Sequence, residues 1–179
     1  AGDRHSGLAA DTRSAMGRLE FERARELVTQ LHAMTPDDPA THELRYRAWR
    51  GAPQDPAFND SARTLLLDPQ RGGRTPQAHV ALFEDYVEAS GKRPKLSAAE
   101  LLGLARRWIA TRQHDAAERL LAQMAARQPG MPGLAEAFFE LWLALRDHGG
   151  ADARARVGAA IERHFPQSPQ AAKLRVAQE

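Results

Sequence analysis

The chain of 179 residues carries 25 Lys and Arg against 23 Asp and Glu, and this net charge of +2 excludes the strongly basic field of a general nucleic-acid binder. It contains no cysteine, which excludes disulfides, a thiolate nucleophile and Cys-ligated zinc or iron–sulfur sites. Apolar residues make up 42%, as in an ordinary folded domain, and no apolar run approaches the roughly 20 residues that span a bilayer.

Five helix starts are marked by capping side chains. Four of the caps precede a proline, which suits the first helical position because an amide there has no intrahelical partner. These pairs are Asp38-Pro39, Asp55-Pro56, Thr75-Pro76 and Ser168-Pro169. The fifth start, Ser97 with Glu100, is a capping box. Glycines at 91, 130 and 149–150 indicate helix ends.

Between these signals apolar residues recur at intervals of three and four, the period of a helix. No alternating β-branched run predicts a strand. The pattern therefore predicts an all-α chain of about ten helices, over residues 6–17, 20–34, 39–50, 56–67, 76–90, 98–111, 114–127, 132–146, 151–165 and 169–177.

One stretch has the spacing of a helix–turn–helix repeat. It reads Leu101-x2-Leu104-Ala105-x2-Trp108-x8-Ala117-x3-Leu121-x2-Met124-x4-Pro129. This order of large, small, aromatic, small and proline positions resembles the tetratricopeptide repeat, a unit of about 34 residues. Met124 and Arg112 depart from the family, which usually has a small residue and a glycine there. Partial copies of this repeat begin at Ala24 and at Phe138. The resemblance implies a right-handed α-solenoid, with a closed helical bundle as the alternative.

The repeats divide the chain into three predicted segments. Residues 1–70 form a degenerate helical-repeat segment, and residues 97–179 form the tetratricopeptide-like repeats with a terminal helix. Residues 71–96 form a bridging helix with a basic loop that contains Lys92, Arg93 and Lys95. We interpret that loop as solvated, with contact to a lipid headgroup or an acidic partner as the alternative.

The order of these segments, with Leu44-Arg-Tyr-Arg-Ala-Trp-Arg-Gly51 between the repeats, is similar to the soluble tail of some bacterial rhomboid-family intramembrane proteases. The sequence holds no catalytic motif of such a protease, so the resemblance implies an accessory domain of a larger membrane protein. Arginine supplies 22 of the 25 cations, which indicates a GC-rich bacterial genome. The start at Ala1 favours an excised piece. We expect a bacterial soluble domain in the cytoplasm or the periplasm, tethered to the inner membrane through the parent chain.

Motifs for catalysis or cofactor binding are absent from the sequence. It has no glycine-rich phosphate loop, no Gly-x-Ser-x-Gly elbow and no His-Glu-x-x-His. The seven histidines never pair at i, i+4. His114 and Glu118 share a helix face, which we interpret as a solvated pair because a metal site needs three or four convergent ligands. We therefore expect no enzymatic activity, no metal and no cofactor.

A partner-binding face is predicted from helical register. In stacked helix pairs the first helices line a concave surface that accepts a segment of a partner. The residues on that face are Leu102, Arg106, Ile109, Phe139, Leu143 and Arg146. They predict a non-enzymatic scaffold for a protein or peptide partner, with an apolar groove edged by Arg106 and Arg146 for acidic, hydrophobic peptides. In the alternative, Leu102, Phe139 and Leu143 simply pack against neighbouring helices.

Two other functions compete with this scaffold. Arg45, Arg47 and Arg50 flank Tyr46 and Trp49, and arginines interleaved with aromatic residues bind nucleic acid through phosphate contact and stacking. A nucleic-acid or anion-binding domain is thus one alternative, although the tryptophans also suit a core. The other is self-association through the terminal helix 169–177, so the oligomeric state stays open.

Overall fold

The computed structural model describes residues 2–91 and 95–178, within which there are ten α-helices and no strand. The helices are α1 (Gly2–Gly17), α2 (Phe21–Met34), α3 (Pro39–Trp49), α4 (Pro56–Leu67), α5 (Pro76–Ala89), α6 (Ala98–Ala110), α7 (His114–Arg127), α8 (Leu134–His148), α9 (Ala151–His164) and α10 (Pro169–Gln178). The all-α prediction is confirmed. None of these described helices is long and apolar enough to cross a membrane.

All five predicted caps form. Thr75 accepts a hydrogen bond from the amide of Ala78 at 3.1 Å. In the capping box the amide of Glu100 donates to Ser97 Oγ at 3.1 Å, and the amide of Ser97 donates to Glu100 Oε1 at 2.9 Å. The side chains of Asp38, Asp55 and Ser168 accept equivalent bonds. The starts of these helices are therefore set by local hydrogen bonding, which explains why the sequence predicts them closely.

Two helices depart from their predicted bounds by more than one residue, while the other eight agree to within one residue at each end. Helix α1 begins at Gly2 instead of residue 6, and its first turn carries the acidic Asp3. His5 in that turn reaches across to Thr35, with 3.2 Å between Nε2 and Oγ1. Helix α8 begins at Leu134 because Gly133 adopts the left-handed conformation, with φ 84°, and serves as its N-cap. The glycine delays the helix beyond Pro132.

The contacts divide the chain into two compact units, Ala1–Lys95 and Leu96–Glu179. In the first unit each of α1 to α4 packs on the next helix, and α1 also touches α3. Small side chains let α1, α2 and α3 approach closely, and the core there contains Ala9, Ala15, Ala24, Val28, Leu31, Leu44 and Ala48. Helix α5, the predicted bridging helix, belongs to this unit and packs on α4.

The second unit contains α6 to α10. Each of its first four helices packs on the next one, and α6 also touches α8 while α7 touches α9. Helix α10 packs on α8 and α9. The largest fully buried side chains here include Trp108, Phe138, Leu121, Leu141 and Ile161.

The predicted basic loop is described only in part, since Lys92 and Arg93 lie outside the described residues. The amide of Lys95 donates to Tyr86 Oη at 2.9 Å, and its carbonyl accepts from Arg63 Nη1 at 3.1 Å. The backbone at Lys95 is therefore held against the first unit.

Candidate functional site

The predicted groove residues of α6 are mostly covered. Leu102 is 7% exposed and Ile109 is 9% exposed. Leu102 lies so close to Gly133 that a Cβ added there would stand 2.9 Å from Leu102 Cδ2. Arg106 is exposed, and its Nη2 lies 3.5 Å from Glu140 Oε1 on α8. In this unit Leu102 and Ile109 are packing residues, and Arg106 alone of the three offers its side chain to solvent.

The predicted residues of α8 remain accessible and share one face. Phe139, Leu143 and Arg146 follow at i, i+4 and i+7, and we name them the α8 strip. Phe139 and Leu143 are half-buried and Arg146 is exposed. Arg146 Nε donates to Asp147 Oδ1 at 3.0 Å. The strip is therefore an apolar pair on one helix face with a cation one turn beyond it.

A second cation lies at the other end of the α8 strip. Lys173 of α10 places its Nζ 6.0 Å from the centre of the Phe139 ring, within the range of a cation–π contact. The Phe139 ring also stacks on Trp142, with 5.9 Å between ring centres and 9° between ring planes. This stacking holds Phe139 in place at the edge of the core.

The arginine-rich segment predicted to bind nucleic acid is engaged with acidic partners of its own unit. Tyr46 is buried, and its hydroxyl donates to Asp85 Oδ2 at 2.5 Å. Arg50 donates to both oxygens of Asp85, from Nη2 at 2.7 Å and from Nε at 3.0 Å. Trp49 packs against the core beneath the Arg25 guanidinium. Because Tyr46 is buried, its ring cannot stack on a base.

A polar cluster that the sequence pattern did not predict lies where α2, α3 and α4 bring side chains together. It consists of His32, His42, Arg45, Asp60 and Ser61, and we name it the histidine cluster. His42 is buried, and the rings of the two histidines meet edge to face with 5.2 Å between centres. The cluster belongs entirely to the first unit.

Hydrogen bonds fix the tautomer of His42. Its Nε2 lies 2.7 Å from the carbonyl oxygen of Pro36, which only accepts, so Nε2 carries the proton and donates it. Its Nδ1 is therefore unprotonated, and the lone pair of this nitrogen accepts a hydrogen bond from Ser61 Oγ at 3.0 Å. The lone pair of a buried imidazole is thus directed into the cluster.

The centre of the histidine cluster is filled by the Arg45 guanidinium. Nη1 donates to the Asp60 carboxylate, to Ser61 Oγ at 3.3 Å and to His32 Nε2 at 3.4 Å. Burial, and after it the positive charge of Arg45, lower the pKa of His32 below its usual 6.5. The His32 ring is therefore neutral at pH 7, and its Nε2 is an acceptor.

The cluster also contains three metal-ligating groups. The ligand atoms of His32, His42 and Asp60 all lie within 4.8 Å of one another, and no other such group of three occurs in residues 2–91 and 95–178. Within the part of the chain that the structure describes, no third ligand joins the predicted His114–Glu118 face. Glu118 there accepts two hydrogen bonds from Arg156, at 2.9 and 3.2 Å. Comparison with protein-family models, curated proteins and solved structures finds no match to this chain.

Proposed function

We propose that this chain is a non-enzymatic protein-interaction domain that binds an acidic, apolar segment of a partner protein on its second unit. The observation that carries this proposal is the α8 strip. Phe139 and Leu143 stay accessible on one helix face, and Lys173 and Arg146 stand at its two ends. An apolar pair with a cation at either end is complementary to a segment with two apolar residues flanked by carboxylates.

The arrangement of the second unit supports this role. Contacts between α6 and α8 and between α7 and α9 are those expected when one helical hairpin stacks on the next. We propose that the hairpins form a tetratricopeptide-like α-solenoid in which α8 is the first helix of its repeat. First helices line the binding surface of such arrays. Covering Phe139 and Leu143 would contribute about 1–2 kcal/mol for each side chain, because both are already half-buried.

The proposed context of this domain is a larger protein. On the sequence resemblance to the tails of bacterial rhomboid-family proteases, we propose that it is an accessory domain whose parent chain is anchored in the inner membrane. The partner would then be met in the cytoplasm or the periplasm.

Peptide selection tests the proposal. A random peptide library is displayed against the chain, and the selected peptides are measured by fluorescence anisotropy. We expect them to carry two apolar residues one helical turn apart with flanking Asp or Glu. Leu143→Glu and Arg146→Glu should each weaken binding about tenfold or more, since they place like charge against the ligand. Leu67→Glu is the matched control, because Leu67 is an exposed leucine at the end of α4 in the other unit.

The binding measurements distinguish peptide binding from the alternative function, nucleic-acid binding. Circular dichroism first establishes that each variant is folded. Equal affinity of wild type, Leu143→Glu and Leu67→Glu would contradict the proposal. Tight binding of single-stranded RNA, with an affinity that falls steeply as salt increases, would favour the nucleic-acid alternative instead.

A further inference from the structure

We propose that the histidine cluster of the first unit is a divalent-metal site, with His32, His42 and Asp60 as ligands and Arg45 as the cation that a metal ion displaces. The site would take a transition metal such as Zn²⁺. This inference concerns a different unit from the peptide-binding face and does not depend on it.

The donor set is one that Zn²⁺ accepts. Each ligand comes from a different helix, and the ligand atoms are within 4.8 Å of one another. Two imidazoles and one carboxylate, with water as the fourth ligand, make a four-coordinate zinc site. Small side-chain rotations bring such atoms to bonding distance of a common ion, and the exposed Asp60 has room for them.

Both histidines present the lone pair that a metal needs. His42 donates from Nε2 to the Pro36 carbonyl at 2.7 Å, which leaves Nδ1 as the ligand atom. A backbone carbonyl behind the imidazole is the usual support of a metal-binding histidine, because it fixes the ring and raises its basicity. His32 offers Nε2, which already accepts from Arg45. Ser61, 3.0 Å from His42 Nδ1, could then accept from a metal-bound water.

Arg45 shows that the cluster is built to hold a positive charge. One nitrogen of its guanidinium contacts His32, Asp60 and Ser61 together. Arginine has a long flexible stem, and Asp60 lies at the surface, so the guanidinium can swing outward toward solvent. Metal and guanidinium therefore compete for the same acceptors, and removal of the guanidinium must strengthen metal binding.

That competition gives the test. Zn²⁺ binding to the full chain is measured by isothermal titration calorimetry at pH 7.5, and Co²⁺ is used for its absorption spectrum. We expect one ion per chain, with binding weakened about tenfold or more in His32→Ala and in Asp60→Asn. Arg45→Met, which keeps the apolar stem without the charge, should bind about tenfold more tightly than wild type. His114→Ala is the matched histidine control and should bind as wild type does.

Thermal unfolding supplies a readout that does not depend on the calorimetry. Zn²⁺ should raise the unfolding temperature of wild type and of Arg45→Met more than that of Asp60→Asn. Asp60 is exposed, so its replacement by Asn leaves the fold intact. Absence of Zn²⁺ binding in wild type would overturn the proposal, even if Arg45→Met bound. Equal affinity of wild type and Arg45→Met, or unchanged binding in both ligand variants, would also overturn it.

Discussion

Leu19 and Arg112 share the same left-handed backbone conformation, φ 61° in each, although they lie 93 residues apart. Each stands two residues beyond the first helix of its unit's opening hairpin, α1 or α6. The next amide in each case returns to a carbonyl five residues earlier, Glu20 to Ala15 at 2.9 Å and Gln113 to Trp108 at 2.7 Å. The two units therefore begin with hairpins that close through the same turn.

This turn predicts a stabilising substitution. A non-glycine residue in the left-handed region carries about 1–2 kcal/mol of strain, part of which is offset because glycine is freer in the unfolded chain. We expect Arg112→Gly to raise the free energy of unfolding by about 0.5–1 kcal/mol. Gln123→Gly, at an exposed position inside α7, should instead lower it by about 1 kcal/mol. Urea denaturation measures both, and equal losses in the two variants would refute the strain argument.

Asp85 ties α5 to α3 in the first unit. It accepts from the buried hydroxyl of Tyr46 and from Arg50, so Asp85→Ala leaves a buried donor without its partner. We expect a loss of about 2–3 kcal/mol. Asp68→Ala, at an exposed carboxylate 3.5 Å from Arg71, should change stability by about 0.5 kcal/mol or less. Similar losses in the two variants would contradict the role given to Asp85.

The Asp85 carboxylate should also make the free energy of unfolding depend on pH in the acid range. The hydrogen bonds from Arg50 lower the pKa of Asp85 below its ordinary value, and the hydrogen bond from the Tyr46 hydroxyl acts in the same direction more weakly. A group whose pKa is lower in the folded state contributes stability above its unfolded pKa, and that stability is lost as the pH falls through the folded pKa. As the pH falls below about 4, the free energy of unfolding should therefore decrease less steeply in Asp85→Asn than in wild type.

His32 predicts a second pH effect at a higher pH. Its pKa is lowered in the folded chain, chiefly by burial, so the unfolded chain binds the proton more readily. Stability must then fall as the pH drops below 6.5 and must be unaffected by this group above that value. The pKa of His114 in the second unit is lowered too, so it contributes in the same direction. Chemical denaturation between pH 5 and 8 should show a smaller slope for His32→Asn than for wild type, and an unchanged slope would contradict this assignment.

Gly149 and Gly150, the adjacent glycines after α8, should differ in how well they tolerate a substitution by alanine. A Cβ at Gly149 would stand 2.8 Å from Leu145 Cα and 2.5 Å from its Cδ2, whereas a Cβ at Gly150 would meet nothing within 4 Å. Gly149→Ala should cost about 2 kcal/mol, because backbone atoms cannot yield as a flexible side chain does. Gly150→Ala should change stability by about 0.5 kcal/mol or less. Thermal unfolding of the two variants measures both effects. Equal destabilisation by Gly149→Ala and Gly150→Ala would exclude the clash with Leu145 as the cause.

The helices were predictable from the sequence because their signals act over a few residues. Thr75 caps an amide three residues ahead, and Ser97 does the same within its capping box. The shared helix face of Phe139, Leu143 and Arg146 could be predicted for the same reason, since all three lie on one helix. Register alone, however, shows which face a residue occupies and not whether another helix covers it. The burial of Leu102 and Ile109 therefore became visible only in the structure.

The histidine cluster could not be predicted because it depends on how helices pack. His32, His42 and Asp60 are separated by 10 and 18 residues and lie on three different helices. No capping or periodicity signal in the sequence indicates how α2, α3 and α4 pack against one another to bring these side chains together. A bond such as that from His42 to the Pro36 carbonyl is likewise seen only once the turn before α3 is folded.

The most direct test of the interaction role is to map a selected peptide onto the isotope-labelled chain by NMR. We predict that amide shift changes concentrate on α8 and α10 around Phe139, Leu143 and Lys173, and that they vanish in Leu143→Glu. Changes confined to the first unit, or spread over exposed arginines and abolished by moderate salt, would contradict a peptide-binding face on α8.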